Sequence, residues 1–339
     1  NAMTWFERLT GFGEISPHQV RENLRIEGDT LTSLVNGKTY AHGRLEIPSL
    51  LELRNRVAAL GPATGRLSLR EIVADVTELH ADPTQAGSLF QVASQFNLLE
   101  MISPRITPEH GVGIYENDPT QGPACAIAAG AGTIYRNYFA PFADGCGQTS
   151  VRQLNALATL GQSLAAHTGM PVARLWKMSN GYALCTKEGL AAIDACLKAA
   201  SPSELDELRC DLSVGIHWDV EITDTNENQM LSVSQAFCSA LPVAYSDMRG
   251  PAWKRFSELV LEAAYEATLI ATALNARRGV SNRVFLTSLG GGAFGNEEAW
   301  IQSAMSRSLE LAAGWDLSVG LVSYSRPATF LKTLAAAHA

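Results

Sequence analysis

The chain has 339 residues, 46% of them hydrophobic, 18% charged and 7% aromatic, a make-up that supplies a substantial core and excludes a disordered or fibrous polymer. Its 26 Lys plus Arg against 34 Asp plus Glu leave a formal charge of −8 with no basic run, which excludes a broad nucleic-acid footprint or attraction to an anionic membrane. No apolar stretch reaches the length of a membrane span, and the six cysteines form no CxxC pair, so reduced thiols, no metal knuckle and a cytoplasmic location are expected.

Asn1-Ala2-Met3 reads as the remnant of a cleaved tag followed by the start. Residues 4–80 are read as an N-terminal α+β extension and 81–339 as the main domain, the two forming one compact unit. Ser16-Pro17 opens a short helix with proline at its first position, and Asn36-Gly37 marks a two-residue hairpin turn between Thr30–Val35 and Lys38–Glu46. A helix is predicted from Ser49 to Leu60, and Ser68 with Glu71 forms a capping box for another that ends near His80.

Ser88 to Ser94 reads as a strand, followed by a long polar stretch from Asn97 to Pro123, of the kind that is usually functional or partly structured. Ala124–Tyr138 is predicted as a helix whose Gly130 and Gly132 let its backbone approach a sheet, and Val151–His167 as a second, stopped by Gly169. A strand at Tyr182–Cys185 precedes a helix capped by Thr186, and Ser201-Pro202-Ser203-Glu204 is a capping box. Leu212–Ile222 and Leu231–Leu241 form a hairpin; then come a helix from Ala252 to Arg278, a strand Arg283–Leu289, a glycine loop, a helix from Glu297 to Gly314, and a strand Leu317–Tyr324. The expected fold is a three-layer α/β/α sandwich around a mixed, largely parallel sheet.

The most specific local signal is the strand ending at Leu289, then Gly290-Gly291-Gly292-Ala293-Phe294-Gly295-Asn296, then a helix. Such a loop points backbone N–H groups and a helix N-terminus at one spot, which suits phosphate. Gly290, Gly292 and Gly295 also satisfy G-x-G-x-x-G, but a dinucleotide fingerprint opens a βαβ series, whereas this loop closes the chain. An NADP-dependent oxidoreductase, with Arg326 meeting a 2′-phosphate, is one alternative, and a glycine turn that only lets helix and strand pack is another.

The run VFLTSLGGGAFGNEEAWI resembles the second phosphate-binding loop of macrodomains, in which a buried strand delivers a G-x-G-x-F/Y-G-N loop onto the diphosphate of ADP-ribose. LFQVASQFNLLEM, TQGPACAIAAGAGTIYRNYF and VSQAFCSALPVAYSD occupy places similar to that family's earlier strand, first loop and middle strand. The likeness extends over Ser88 to Tyr324 and implies a macrodomain-like fold with an ADP-ribose-type ligand and no other cofactor. Thr120-Gln121-Gly122-Pro123 replaces the usual GGG of the first loop, and the stretch before it is longer than in a minimal macrodomain. Gly290–Gly292 with Glu297-Glu298 echoes the poly(ADP-ribose) glycohydrolase branch, yet those glutamates open a helix, where acids complement the dipole.

The resemblance places Gly290 to Asn296 on a diphosphate, together with Thr120, Gln121 and Gly122, and makes the occupant a small nucleotide or an ADP-ribosylated protein. Hydrolysis at an anomeric carbon needs a carboxylate to position or deprotonate water. Asp118 and Glu116 are the candidates, with Glu100 behind them and Asn97 as an amide that orients the ribose; the competing reading makes Asn117-Asp118-Pro119 a plain turn. Phe294 is placed as a ribose or adenine stacker or a core plug, Arg136 as a phosphate ligand or the partner of a surface acid, and Trp176, Asn180, Gly181 and Tyr182 as an adenine-side wall or a core anchor. His217 and Asp219, sharing a strand face, suggest half a metal site, but no second histidine accompanies them, and structural roles are expected. No serine-nucleophile motif occurs, and Cys125 is expected to be a buried, inert thiol. An ADP-ribosyl hydrolase and a non-catalytic ADP-ribose-binding module are therefore the two principal readings.

Overall fold

A computed structural model describes residues 2–225, 230–324 and 329–338. The chain opens with α1 (Trp5–Thr10), boxed by Thr4 and Glu7, and α2 (Pro17–Asn23), capped by Ser16. A three-stranded antiparallel sheet follows, β1 (Leu24–Glu27), β2 (Thr30–Ser33) and β3 (Thr39–Ala41). The β2–β3 turn differs from the two-residue form expected: the Lys38 carbonyl pairs with Ser33, and the Ser33 hydroxyl accepts from the Val35 and Asn36 amides, so four residues make the turn, with Gly37 at φ 73°.

After β4 (Arg44–Glu46) and α3 (Leu50–Leu60), the predicted helix at Ser68 is instead a strand, β5 (Ser68–Val73). The Ser-x-x-Glu spacing is purely local, whereas all six residues of β5 pair in parallel with the last strand, Ser318–Ser323, covering an edge that would otherwise stay open. The helix begins only at α4 (Val76–Ala81), where the Asp75 side chain accepts from Thr77. β6 (Leu89–Ala93) is the strand expected there, and the polar stretch behind it carries two short 3-10 turns, Pro108–His110 and Gly113–Asn117.

The helix predicted at Ala124–Tyr138 is two, α5 (Gln121–Ala128) and α6 (Gly130–Tyr138), broken at Ala129, with the Gly130 amide turned to the Thr223 hydroxyl at 2.9 Å. A Cβ on Gly132 would lie 3.0 Å from Val220 and 3.2 Å from His217, so this glycine does bring the helix onto the sheet; one on Gly130 would strike Trp5 at 2.6 Å. A small hairpin, β7 (Pro141–Phe142) with β8 (Gly145–Cys146), follows. The next helix, α7 (Ala158–Thr168), starts seven residues later than predicted, because Thr149–Arg152 form a bridged turn that exposes Val151 and the Asn155 side chain engages the Leu157 amide.

A short α8 (Val172–Leu175) leads into the hairpin β9 (Trp176–Ser179) and β10 (Tyr182–Cys185). Then come α9 (Lys187–Ala199) and α10 (Pro202–Cys210), whose capping box is formed as expected. β11 (Gly215–Glu221) and β12 (Ser232–Cys238) pair antiparallel as expected. The remaining elements are α11 (Gly250–Arg277), β13 (Arg283–Leu286), which stops three residues short of the predicted end, α12 (Glu298–Leu311), β14 (Ser318–Ser323) and α13 (Thr329–Ala337).

Seven strands form the main sheet in the order β4-β11-β12-β6-β13-β14-β5, with β11 alone opposed to the rest. Alternation along each strand feeds two cores. Leu89, Val284, Leu286, Val319 and Leu321 pack on one face against residues of α3, α11 and α12. Phe90, Val92, Val233, Phe237, Phe285 and Val322 pack on the other, with Cys125 and Ala129 of the α5 layer. This is an α/β/α sandwich with a mixed, largely parallel sheet. The first eighty residues supply both of its edge strands, β4 and β5. Among the described residues no helix is long and apolar enough to cross a membrane.

Candidate functional site

Open α/β sheets present ligand crevices at the carboxyl ends of their parallel strands. Here β6, β12 and β13 end side by side, and a cavity of about 280 Å³ lies over Ala93-Ser94-Gln95, Ala240 and Thr287–Gly290. The glycine loop forms one wall through Gly290, Gly292, Ala293 and Phe294, and the start of α5 forms another through Thr120, Gln121, Gly122 and Pro123. Gly291, Gly295 and Asn296 do not line the cavity. Asn296 donates its side-chain amide to Leu241 O at 2.9 Å and its backbone amide to Gly290 O at 2.9 Å, which ties the loop closed.

Gly290 and Gly292 have different jobs. Gly290 sits at φ 75°, with a built Cβ 2.4 Å from Ala240, so the turn requires glycine there; a Cβ on Gly292 meets nothing within 4 Å. The amides of Gly292, Ala293 and Phe294 find no acceptor among the described residues. Across the cavity, α5 begins without a side-chain cap, and the Gln121 and Gly122 amides find no acceptor among the described residues. Two sets of unpaired N–H groups thus line one space, an arrangement that suits a phosphate or diphosphate.

Glu100 closes the floor. It is buried, and its Oε1 has no hydrogen-bond partner among the described residues. Burial pushes its pKa well above the ordinary carboxyl value; Arg136 opposes the shift and Asp118 adds to it. Gly122 makes room for it, since a Cβ there would lie 2.4 Å from Ala93 O and 2.6 Å from Glu100 Oε2. The Glu100 backbone amide donates to the Tyr115 hydroxyl at 3.0 Å. Asp118, half-buried at the cavity rim, accepts through Oδ1 from the Thr120 amide at 2.9 Å and the Thr120 hydroxyl at 2.7 Å. Tyr182, Tyr245 and Phe294 make an aromatic corner, with ring centroids 5.1, 5.2 and 5.7 Å apart.

The other sequence candidates fall elsewhere. Glu116 does not line the cavity: it accepts from the Trp5 amide at 2.6 Å and pairs with Arg8 at 2.7 Å. Asn97 is fully buried and does not line the cavity, donating to Gln153 at 3.1 Å and accepting from the Leu99 amide at 3.1 Å, which stabilises the left-handed Leu98 at φ 65°. Arg136 reaches neither phosphate nor a surface acid; it lies beneath the floor, bonded to Leu98 O, Thr133 and His217 and stacked 3.8 Å from the Phe237 centroid. Burial lowers its pKa to about 10, which leaves it cationic at neutral pH.

A bulge between His217 and Val220 turns Asp219 away from His217. Asp219 is exposed, at φ 57°, and pairs with Arg278, while His217 is buried. Among the described residues no cluster of His, Cys, Asp and Glu could hold a metal. Cys125 is buried, and desolvation raises its pKa, as an inert thiol requires. Trp176 belongs to the core, stacked on Phe256, and of its patch only Tyr182 lines the cavity. Glu297 and Glu298 are exposed at the start of α12. Arg326 lies outside the described residues.

No protein-family model matches the sequence, and no curated protein matches it. Among solved structures, the chain is similar to poly(ADP-ribose) glycohydrolase from Thermomonospora curvata, with a TM-score of 0.48 and 13% identity over 95% of this chain and 96% of that one. It is also similar to poly(ADP-ribose) glycohydrolase from Deinococcus radiodurans in complex with ADP-ribose, with a TM-score of 0.43 and 12% identity over 86% of this chain and 91% of that one. Similarities of this degree assign the chain neither a family nor an activity.

Proposed function

We propose that the cavity binds ADP-ribose or a related nucleotide diphosphate and that the chain hydrolyses an ADP-ribosyl linkage there. The observation that carries this reading is the convergence on one cavity of open loop amides, an uncapped helix start and the buried, unpartnered Glu100. The resemblance of VFLTSLGGGAFGNEEAWI to a macrodomain phosphate loop supports the same ligand.

In this reading the diphosphate lies between the Gly292–Phe294 amides and the first turn of α5. The terminal ribose then faces the floor. Glu100, held neutral by burial, donates a proton to the departing oxygen, while Asp118 positions and deprotonates the attacking water through the oxygen that Thr120 leaves free. A carboxylic acid and a second carboxylate set on either side of the scissile bond are a recurring basis for glycosidic hydrolysis. The aromatic corner of Tyr182, Tyr245 and Phe294 offers a ring face to the sugar or base.

Calorimetric titration with ADP-ribose, with AMP and NADP as controls, tests the ligand. Selective binding of ADP-ribose is expected, with at least a tenfold loss in Gly292→Leu. That side chain enters open space, so the melting temperature should stay within the range of a neutral surface change, about 0.5 kcal/mol. Equal affinity in Gly292→Leu would remove the loop from the site. Binding without turnover on any ADP-ribosylated substrate would make the chain a binding module instead.

A further inference from the structure

A second cavity, of about 510 Å³, is lined by Arg44 of β4, Arg56 and Leu60 of α3, Trp218 of β11, and Leu274 and Arg277 of α11, with Ala59 and Arg278 beside them. Four guanidinium groups surround it, and three of them share two carboxylates. Glu46 accepts from both Arg44, at 3.1 Å, and Arg56, at 2.5 Å. Asp219 is taken up by Arg278 in a two-pronged pair at 2.7 and 2.6 Å. Arg277 donates to the Leu60 carbonyl at 3.3 Å. Among the described residues two positive charges remain uncompensated around one cavity, on a chain whose formal charge is −8.

Basic residues at a helix C-terminus complement its dipole, which accounts for Arg277 and Arg278 but not for Arg44 on a strand or Arg56 within α3. The walls between the charges are apolar, formed by Ala59, Leu60, Leu274 and Trp218, and Arg44 and Arg278 lie 6.0 and 4.8 Å from the Trp218 ring centroid. The cavity stands apart from the cleft. A Cβ on Gly250, where α11 begins, would meet Glu297 just beyond the glycine loop, whereas Arg277 ends the same helix, a separation of roughly 40 Å at 1.5 Å per residue.

We propose that this cavity is a second binding site, for an organic phosphate with an apolar body: the phosphate lies on Arg277 and the Arg44–Arg56 pair, and the body lies along Leu60, Leu274 and Trp218. Guanidinium groups recognise phosphate oxygens bidentately, and the apolar walls favour a phosphate ester over the free ion. The site is independent of the nucleotide cleft.

The test is calorimetry at low salt on the full chain with phenyl phosphate, inorganic phosphate and phenol. Phenyl phosphate is expected to bind wild type and Gly292→Leu equally, at least tenfold more tightly than inorganic phosphate, and phenol not at all. Arg277→Gln and Arg56→Gln should each weaken phenyl phosphate by tenfold or more with the melting temperature unchanged. Absence of phenyl phosphate binding overturns the site, as does binding that both arginine variants retain. Loss in Gly292→Leu alone would move the ligand to the cleft, and equal affinity for inorganic phosphate would remove the apolar half of the proposal.

Discussion

Glu100 combines three features rarely found in a carboxyl group with only a structural role: it is buried, its Oε1 has no partner, and it faces a cavity. Replacing it with Gln keeps the shape and removes the acidic proton, so turnover should fall by about 10²- to 10⁴-fold, the usual worth of general acid–base catalysis, while ADP-ribose binding is retained. Unchanged turnover in E100Q would transfer the chemistry to Asp118 alone. The pH profile follows from the raised pKa: activity that needs the protonated acid declines as pH rises through that value. Stability carries the same sign. A carboxyl that titrates near 4.3 in the unfolded chain and higher in the folded one holds its proton more tightly when folded, so its contribution is intact at low pH and is lost as pH rises through the folded value. E100Q should therefore melt above wild type at pH 8, by an amount on the order of 1–3 kcal/mol for an unsatisfied buried polar group, and the difference should close near pH 4. A gap independent of pH would mean that the stabilisation has another origin.

α5 shows how one element serves both packing and site. Its second residue, Gly122, lies against the end of β6 and the Glu100 carboxyl, so Gly122→Ala places a methyl 2.4 Å from Ala93 O and 2.6 Å from Glu100 Oε2. The start of the helix must then move outward, at about 1–3 kcal/mol for overpacking, and the open amides move with it. A lower melting temperature together with weaker ADP-ribose binding is expected, in contrast to the purely local effect of Gly292→Leu; intact binding in Gly122→Ala would exclude α5 from the ligand. This contrast also marks how far the sequence was legible. The glycine loop could be read because strand, loop and helix are contiguous, α9 and α10 because their caps are local, and α11 because its long run of apolar residues is. β5 could not, since its partner β14 lies some 250 residues away and its Ser-Glu spacing mimics a cap. Glu100 ranked behind Glu116 for the same reason: the approach of Gly122 brings α5 against the one, and the Trp5 amide and Arg8 draw the other away, contacts between residues distant in the sequence.

Across the whole molecule, the N-terminal segment holds the long stretch between β6 and α5 in place. Trp5 donates its indole N–H to Val112 O at 3.0 Å, Glu116 accepts from the Trp5 amide, and Glu14 accepts from the Val112 and Gly113 amides, each at 2.9 Å, and from the Tyr138 hydroxyl at 2.5 Å. The segment that Glu14 clamps carries Tyr115, whose hydroxyl holds the Glu100 amide. A chain of contacts therefore runs from the first helices to the cavity floor, through residues that do not line the cavity. Glu14→Ala leaves the Val112 and Gly113 amides without their acceptor, at about 1–3 kcal/mol for each buried donor unsatisfied. Hydrogen exchange over residues 108–117 should accelerate while β6 and β13 keep their protection, because local opening follows the loss of local bonds. Turnover should fall with ADP-ribose affinity less affected, since the open amides of Gly292–Phe294, proposed to hold the diphosphate, stand on a different element from the floor that loosens. Exchange that rises evenly over the whole chain would instead mean that Glu14 supports the fold as a unit and has no selective hold on the floor.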